Sequence, residues 1–335
     1  MGEEYTFDME YEREAGVAYC RGALANVSRS FALTIPMIDC ELRDKITVSY
    51  VVARVLDTLE DSPIPMEMKK KLMDEWINLL STDTSGNISQ DMKVIYPRLA
   101  AIASTGSRYV ADAAYSELMK NSFKVYAAAT NFDCNFASSQ HRWFREMKEG
   151  MKKYLTKRIV SFKDFDEYAY YVAGTVGGFL TDLVCEGAES EAQKTVLKST
   201  FRDFGLLLQK VNIIRDFRED VIAQKHFWPE DALQGMNGNE MLLQKNIKKS
   251  MKSLGMMLSD AESHKEKARL YIDSIPSRFS GYRMFALVNF HMAIRTLDLM
   301  KGNRDVFLSQ TPLKIGRKNV EEILKLSEME CMARR

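Results

Sequence analysis

The sequence predicts an all-α protein, and three observations carry that prediction. Apolar residues recur at i, i+3, i+4 and i+7 through long segments, the spacing of one buried helix face. Strand-like alternation bounded by turns is scarce. The seven prolines (Pro36, Pro63, Pro65, Pro97, Pro229, Pro276 and Pro312) read as breaks between those segments. In chain order, 46–59, 110–129, 168–185, 201–217 and 284–300 read as helices. The polar stretches 81–91 (STDTSGNISQD) and 235–240 (GMNGNE) are the size of loops between helices. Length alone allows two domains, but no stretch resembles a linker, an internal repeat or a low-complexity tract. The expectation is one all-α domain, 1–335, of about ten helices.

Composition narrows the partners. Hydrophobic residues make up 46% of the chain and charged ones 28%, enough apolar surface for a large core. Lys+Arg 47 against Asp+Glu 46 gives no basic surplus, so nucleic acid is not expected as a partner. No run approaches the roughly 18 apolar residues of a membrane-spanning helix. The opening MGEEYTFDMEYERE is acidic and polar, unlike a secretory signal. Residues 2–6 match the loose myristoylation pattern, a match too short to build on. Five scattered cysteines (Cys20, Cys40, Cys134, Cys185, Cys331) suggest neither a disulfide framework nor a metal site, which suits a reducing cytoplasm. Twenty methionines read as core gap-fillers; the alternative is a deformable apolar pocket for a long flexible ligand.

Two segments break the pattern. Residues 50–61 (YVVARVLDTLED) and 209–220 (QKVNIIRDFRED) are helical and mostly apolar, yet carry acids inside them. At about 100° per residue, Tyr50, Arg54, Asp57 and Asp61 stack within one narrow arc. Gln209, Asn212, Asp216 and Asp220 stack likewise on the second segment. A helix apolar around most of its circumference is buried, so a polar stripe along it must face a wet or ligand-filled space. Carboxylates at i and i+4, with Glu60 and Glu219 beside them, can hold a hard cation. Mg²⁺, with Mn²⁺ as an alternative, favours a few carboxylates plus water and substrate phosphate. Two such patches facing each other would clamp a diphosphate and stabilise it as a leaving group. Arg54, Arg215 and Arg218 could pair with the acids or with phosphate oxygens. One Asp-x-x-Glu-Asp on a helix is usually a solvated face. The pair, each in an apolar helix, is the signal.

With these motifs the chain resembles the squalene synthases of the squalene/phytoene synthase family. The matching stretches are Ser28, Arg29, Ser30 and Phe31; 50–61 with DTLED; Tyr168-x-x-Tyr-Val-Ala-Gly174; 208–220 with NIIRD and FRED; and Phe227-Trp-Pro229. They recur in family order over about 15–320. The resemblance implies an isoprenoid synthase-type helical bundle around a deep apolar cavity. It implies that Asp57, Glu60, Asp61, Asp216, Glu219 and Asp220 hold Mg²⁺ on farnesyl diphosphate, and that Tyr168 acts in the first half-reaction as base or cation stabiliser. Two farnesyl diphosphates would give presqualene diphosphate, and hydride from NADPH would then give squalene.

Further site residues are implied one at a time. Ser28, Arg29, Ser30 and Phe31 match the segment that closes over diphosphate. Tyr50, Arg54, Gln209, Asn212 and Arg215 match polar cavity contacts, Lys225 a basic residue near phosphate, and Phe285 an aromatic of the second half-site. Lys314, Arg317 and Lys318 match a basic segment proposed to hold the NADPH phosphate. A family lysine assigned to cofactor or phosphate contact is Gly22 here, beside Arg21. Local alternatives stand beside these roles: Ser28 suits a helix N-cap, and Gly174, Gly177 and Gly178 suit close helix packing. The four histidines read as surface or satisfied core residues. The basic runs 148–158 and 245–252 read as solvated faces that could rest on an anionic membrane. The chain ends Glu-Cys-Met-Ala-Arg-Arg, without the hydrophobic anchor of eukaryotic members, so a cytoplasmic or peripheral protein is expected. The rival functions are the same condensation without reduction, giving dehydrosqualene, hydroxysqualene or another prenylated product, and a non-catalytic binder of prenyl diphosphates.

Overall fold

The computed structural model describes residues 9–28, 30–81 and 88–333, and all regular structure among them is helical. Ten of those helices run eleven residues or more, with shorter turns between them. The chain clusters into two units: Met1–Pro36 with Cys40–Lys152, and Met37–Asp39 with Lys153–Arg335. Among the described residues no helix is long and apolar enough to cross a membrane.

The first unit is built on the helix Cys40–Asp61, which packs against Met9–Val27, Met66–Leu80, Ala113–Lys120 and Ser122–Ala129. Val48, Val51, Val52, Val55, Leu56 and Leu59 are fully buried. Trp76, also fully buried, donates its indole N–H to the Val52 carbonyl at 3.1 Å, which fixes the neighbouring helix in register. Gly16 lets the Met9–Val27 helix meet Ser122–Ala129 backbone to backbone; a Cβ there would stand 2.4 Å from the Lys124 carbonyl oxygen. The periodicity of 110–129 predicts one helix, but the chain forms two. Asp112 caps the first by accepting from the Ala114 and Tyr115 N–H groups, and Asn121 separates it from the second. Pro97, read as a break, lies inside the helix Ile88–Tyr109.

The second unit is centred on Glu191–Arg215, which packs against Thr175–Cys185, Ile247–Glu262, Lys265–Asp273 and Ser280–Met300. Asp39 caps the last of these, accepting from the Gly281 and Tyr282 N–H groups at 3.1 and 3.0 Å. The expected helix over 168–185 is interrupted. Phe162–Ala169 runs into a wider π-type turn, Tyr170–Gly174, before α-helix resumes at Thr175–Cys185. Such turns insert one residue into a helix and cluster at functional sites. Gly205 of the central helix packs onto this turn so closely that a Cβ would lie 2.9 Å from both the Ala173 carbonyl oxygen and the Gly174 Cα.

Candidate active site

In the first unit the polar stripe is where the periodicity predicts it. From Ile46 to Asp61 every residue is buried except Tyr50, Arg54, Asp57, Glu60 and Asp61. Arg54 organises the stripe. Its Nη1 donates to Asp57 Oδ2 at 2.9 Å and its Nη2 to the Tyr115 hydroxyl, while the guanidinium lies over both the Tyr50 and Tyr115 rings. Burial opposes the arginine's charge, but Asp57 and the two phenols outweigh it and hold Arg54 firmly cationic. Burial raises the Tyr50 hydroxyl pKa, against the pull of Arg54 and of the hydrogen bond with Ser28. The Ser28 hydroxyl also accepts from the Phe31 N–H at 3.1 Å, and the Phe31 ring meets Tyr50 at 5.1 Å. Ser28 and Phe31 therefore touch the stripe, and Ser28 serves the start of the helix Ser30–Thr34 as well. Ser30 is exposed. Arg29 lies outside the described residues.

Two residues that the motifs do not name complete this end. Tyr115 reaches Arg54 from the helix Ala113–Lys120, and its hydroxyl also lies 3.4 Å from the Val27 carbonyl. Lys69 is buried and donates to the Glu60 carbonyl, a cation set at the helix's negative end. Arg21, beside Gly22, is held by both carboxylate oxygens of Asp44.

The second stripe departs from expectation in one respect. The central helix ends at Arg215, Asp216 stands outside it, and a short helix resumes at Phe217–Ile222. Tertiary packing makes the break: the Phe217 ring meets Trp228 at 4.2 Å and Phe307 at 5.5 Å, and the Trp228 indole lies 3.4 Å from the Ile213 carbonyl. The Trp of the Phe-Trp-Pro motif thus shapes the acidic segment. Arg215 donates to both Asp216 oxygens, at 2.7 and 2.6 Å. Burial opposes the Arg215 charge, but Asp216, with Glu219 and Asp220 further off, raises its pKa. Gln209 is half-buried, and Asn212 and Glu219 are exposed on the same stretch. Arg218 turns away and donates to the Phe307 carbonyl at 2.8 Å. Lys225 follows a left-handed turn at Gln224 (φ 58°), its N–H bonded to the Asp220 carbonyl at 2.8 Å.

Tyr168 is 6% exposed. Its ring stacks on Phe227 at 5.1 Å and 12°, with Tyr154 against it edge-on at 5.2 Å. The Tyr154 hydroxyl in turn bonds Glu167 at 2.6 Å. Phe285 is buried and stacks with Tyr282 at 5.6 Å. Lys314, Arg317 and Lys318 are exposed around the start of the helix Arg317–Met332. Leu313, next to Lys314, lines a pocket together with Arg215, Arg218 and Glu219. Within this unit the residues that lead into the basic segment and the second acidic segment therefore border one space.

The donors available in both stripes are hard carboxylate oxygens that keep access to solvent. The side chains of Asp57 and Asp216 are 25% and 30% exposed, and each is balanced by an arginine. Among the described residues no three acidic, His or Cys side chains converge into a ready-made metal cage. That donor set fits a cation such as Mg²⁺, which draws much of its coordination from water and phosphate.

Comparison with known proteins identifies the family. The squalene/phytoene synthase family profile matches residues 24–318. The chain belongs to that family. Its fold is accordingly the isoprenoid synthase helical fold, and the family is one of prenyl-transferring enzymes. It is 31% identical over 307 residues to squalene synthase 1 of Arabidopsis thaliana, covering 89% of this chain and 68% of the plant protein. It is 32% identical over 314 residues to squalene synthase LSS of Botryococcus braunii, covering 91% of this chain but 62% of the algal protein. Among solved structures it is similar to TcSQS in complex with the ligand BPH1237, with a TM-score of 0.78, 27% identity, and coverage of 96% of this chain and 92% of that one. A dehydrosqualene synthase shares the fold at a TM-score of 0.61 and 16% identity, over 97% of this chain and all of that one.

Proposed function

We propose that this protein condenses two farnesyl diphosphates head to head into presqualene diphosphate and reduces that product with NADPH to squalene. The carrying observation is the first acidic helix, buried along its length except for Tyr50, Arg54, Asp57, Glu60 and Asp61. Ordinary packing gives no reason to leave these groups along one stripe, whereas a charged ligand does. The squalene synthase relatives supply the substrate class. Both units are taken to serve one catalytic domain, in a protein placed in the cytoplasm or at the surface of a membrane.

Asp57, Glu60 and Asp61, with Asp216, Glu219 and Asp220, are the residues that would hold Mg²⁺ or Mn²⁺. The bound cation neutralises the charge developing on departing diphosphate. Arg54 and Arg215 each balance a carboxylate of their own stripe and can turn to phosphate oxygens when a cation takes over that carboxylate. Ser28, Arg29, Ser30, Phe31, Tyr50, Gln209, Asn212 and Lys225 would bind and orient the diphosphates. As the allylic C–O bond breaks, the second farnesyl double bond attacks, and loss of one proton closes the cyclopropane. Tyr168 would serve this step as a phenol in an aromatic stack, facing the cation or, once ionised, taking the proton. In the second half the cyclopropylcarbinyl C–O bond would break, and NADPH would supply the hydride that the rearranged cation needs. Phe285 would shield that cation, while Lys314, Arg317 and Lys318 would meet the cofactor phosphate.

The test is product analysis after incubation with farnesyl diphosphate and Mg²⁺, with and without NADPH. Squalene only in the tube containing NADPH is the expected result. An identical product in both tubes would remove the reductive half, and no diphosphate release with any prenyl donor would leave a binding protein.

A further inference from the structure

A second charged cluster stands on the helix that carries the second stripe, and none of the roles above uses it. Lys210 is 0% exposed and follows Gln209 on the central helix. Its ammonium donates to Asp166 Oδ1 and to Asp260 Oδ2 at 2.6 Å, and lies 2.9 Å from His264 Nε2. His264 Nδ1 is 2.8 Å from Asp203 Oδ1, two turns back on the helix that carries Lys210. Four helices meet here: Phe162–Ala169, Glu191–Arg215, Ile247–Glu262 and Lys265–Asp273.

Burying an ammonium with its carboxylates is a poor way to gain stability, because the desolvation cost consumes most of the attraction. What such a cluster does well is fix registry, since apolar contacts slide and a bifurcated ion pair does not. The registry fixed here has a direct bearing on the site. Asp166 precedes Tyr168 by two residues on one short helix, and Lys210 sits between Gln209 and Asn212 on the other. The opposite side of the same joint is held by the contact of Gly205 with the Ala173–Gly174 backbone. That contact sets how closely the two helices approach. The first helix is further tied by Glu167 to Tyr154 and Lys157, and to the central helix by the ion pair of Asp166 with Lys210.

We infer that the Asp166–Lys210 ion pair is a positioning device that holds Tyr168 at a fixed height and rotation relative to the Gln209–Asn212–Asp216 stripe. Its effect on turnover rests on the prenyl-transfer reading given above; its effect on the placement of the tyrosine helix does not. Asp260 provides the internal control. It binds the same ammonium, but from a helix that carries no proposed catalytic group.

The experiment compares Asp166→Ala, Asp260→Ala and Asp166→Glu in the full chain, each checked for folding by its thermal transition. Hydrogen exchange needs no substrate. Asp166→Ala should speed exchange of the 162–174 amides at least about tenfold, whereas Asp260→Ala should leave that segment unchanged and loosen 247–262 instead. Equal protection of 162–174 in the two alanine variants overturns the inference. In turnover of farnesyl diphosphate, Asp166→Ala should lower kcat by about 10- to 100-fold with KM little changed, and Asp166→Glu should restore most of it. In a Tyr168→Phe background the same Asp166→Ala change should cost less than about threefold. An undiminished loss there means that Asp166 acts through stability alone. If the unaltered protein releases no diphosphate, the prenyl-transfer reading falls, while the exchange comparison still decides the positioning role. If Asp166→Ala fails to fold, Lys210→Met against Lys210→Arg, read by the same exchange of 162–174, decides it.

Discussion

Arg215 is the last residue of its helix and grips both carboxylate oxygens of Asp216, the residue just outside it. Asp216 thus has a dedicated cation at the end of the central helix. On the first acidic helix Arg54 does the same for Asp57 from one turn away.

If these arginines stand in for a metal, removing the acids should be more damaging than neutralising a surface pair. Asp57→Ala and Asp216→Ala are each expected to lower diphosphate release by about 100-fold or more. The chelator EDTA should stop the unaltered protein, and added Mg²⁺ should restart it. Near-normal turnover in both variants would remove the carboxylates from the metal site.

Tyr115 acts at one remove, by holding Arg54. Tyr115→Phe keeps the ring under the guanidinium and deletes only the hydroxyl contact. Turnover should fall about tenfold, the effect of losing one charge-assisted hydrogen bond, with little change in the thermal midpoint. Kinetics indistinguishable from the parent would mean that Arg54 is held well enough by Asp57 and Tyr50.

Two glycine substitutions should move stability in opposite directions. Gly205→Ala drives a Cβ against backbone that cannot rotate away, and should cost roughly 1–3 kcal/mol in urea unfolding. Gly255, in the helix Ile247–Glu262, has nothing within 4 Å of its would-be Cβ. Gly255→Ala should add up to about 1 kcal/mol through helix propensity.

The buried histidine gives a pH test. Burial opposes the charge on His264, but its hydrogen bonds to Asp166 and Asp203 outweigh this and raise its pKa. A group whose folded pKa is raised contributes stability that is complete below its unfolded value, 6.5, and fades as pH climbs through the folded one. His141 and His291, whose pKa values are lowered, chiefly by burial, work in the opposite sense. The informative quantity is therefore the difference between the parent and His264→Gln. The gap in thermal midpoint should be largest near pH 6 and should narrow toward alkaline pH. A constant gap would show that folding does not raise the imidazole's pKa, and a gap that widens toward alkaline pH that folding lowers it.

The parts of this molecule that were legible in its sequence depend on period. Tyr50, Arg54 and Asp57 lie within a few turns of one helix, so the spacing of the apolar residues around them was enough to place them together. Partners brought in by tertiary packing left no such trace. Tyr115 is 61 residues from Arg54, and Asp166 and Asp260 are 44 and 50 from Lys210. The helix break at Asp216 escaped local reading for the same reason: the NIIRDFRED stretch reads as one helix until Trp228 and Phe307 pull Phe217 aside. The split at Asn121 was visible in part, since Asp112 is a strong N-cap residue, but an apolar period running across it hid the joint. Pro97 erred in the other direction, tolerated within a long helix where punctuation alone suggests an end.

The wide turn at Tyr170–Gly174 has a consequence for how this segment can change. It holds one residue more than a regular helix would, so deleting a single residue there would leave a more uniform rod. Because the wide turn takes up the rotation of its surplus residue locally, the helices on either side would keep their facing after that deletion. Tyr168 would stay against Phe227 and Asp166 against Lys210, while the side chains within 170–174 would change places. The irregularity works as a buffer: it stores one residue without passing its rotation on to the helix at either end.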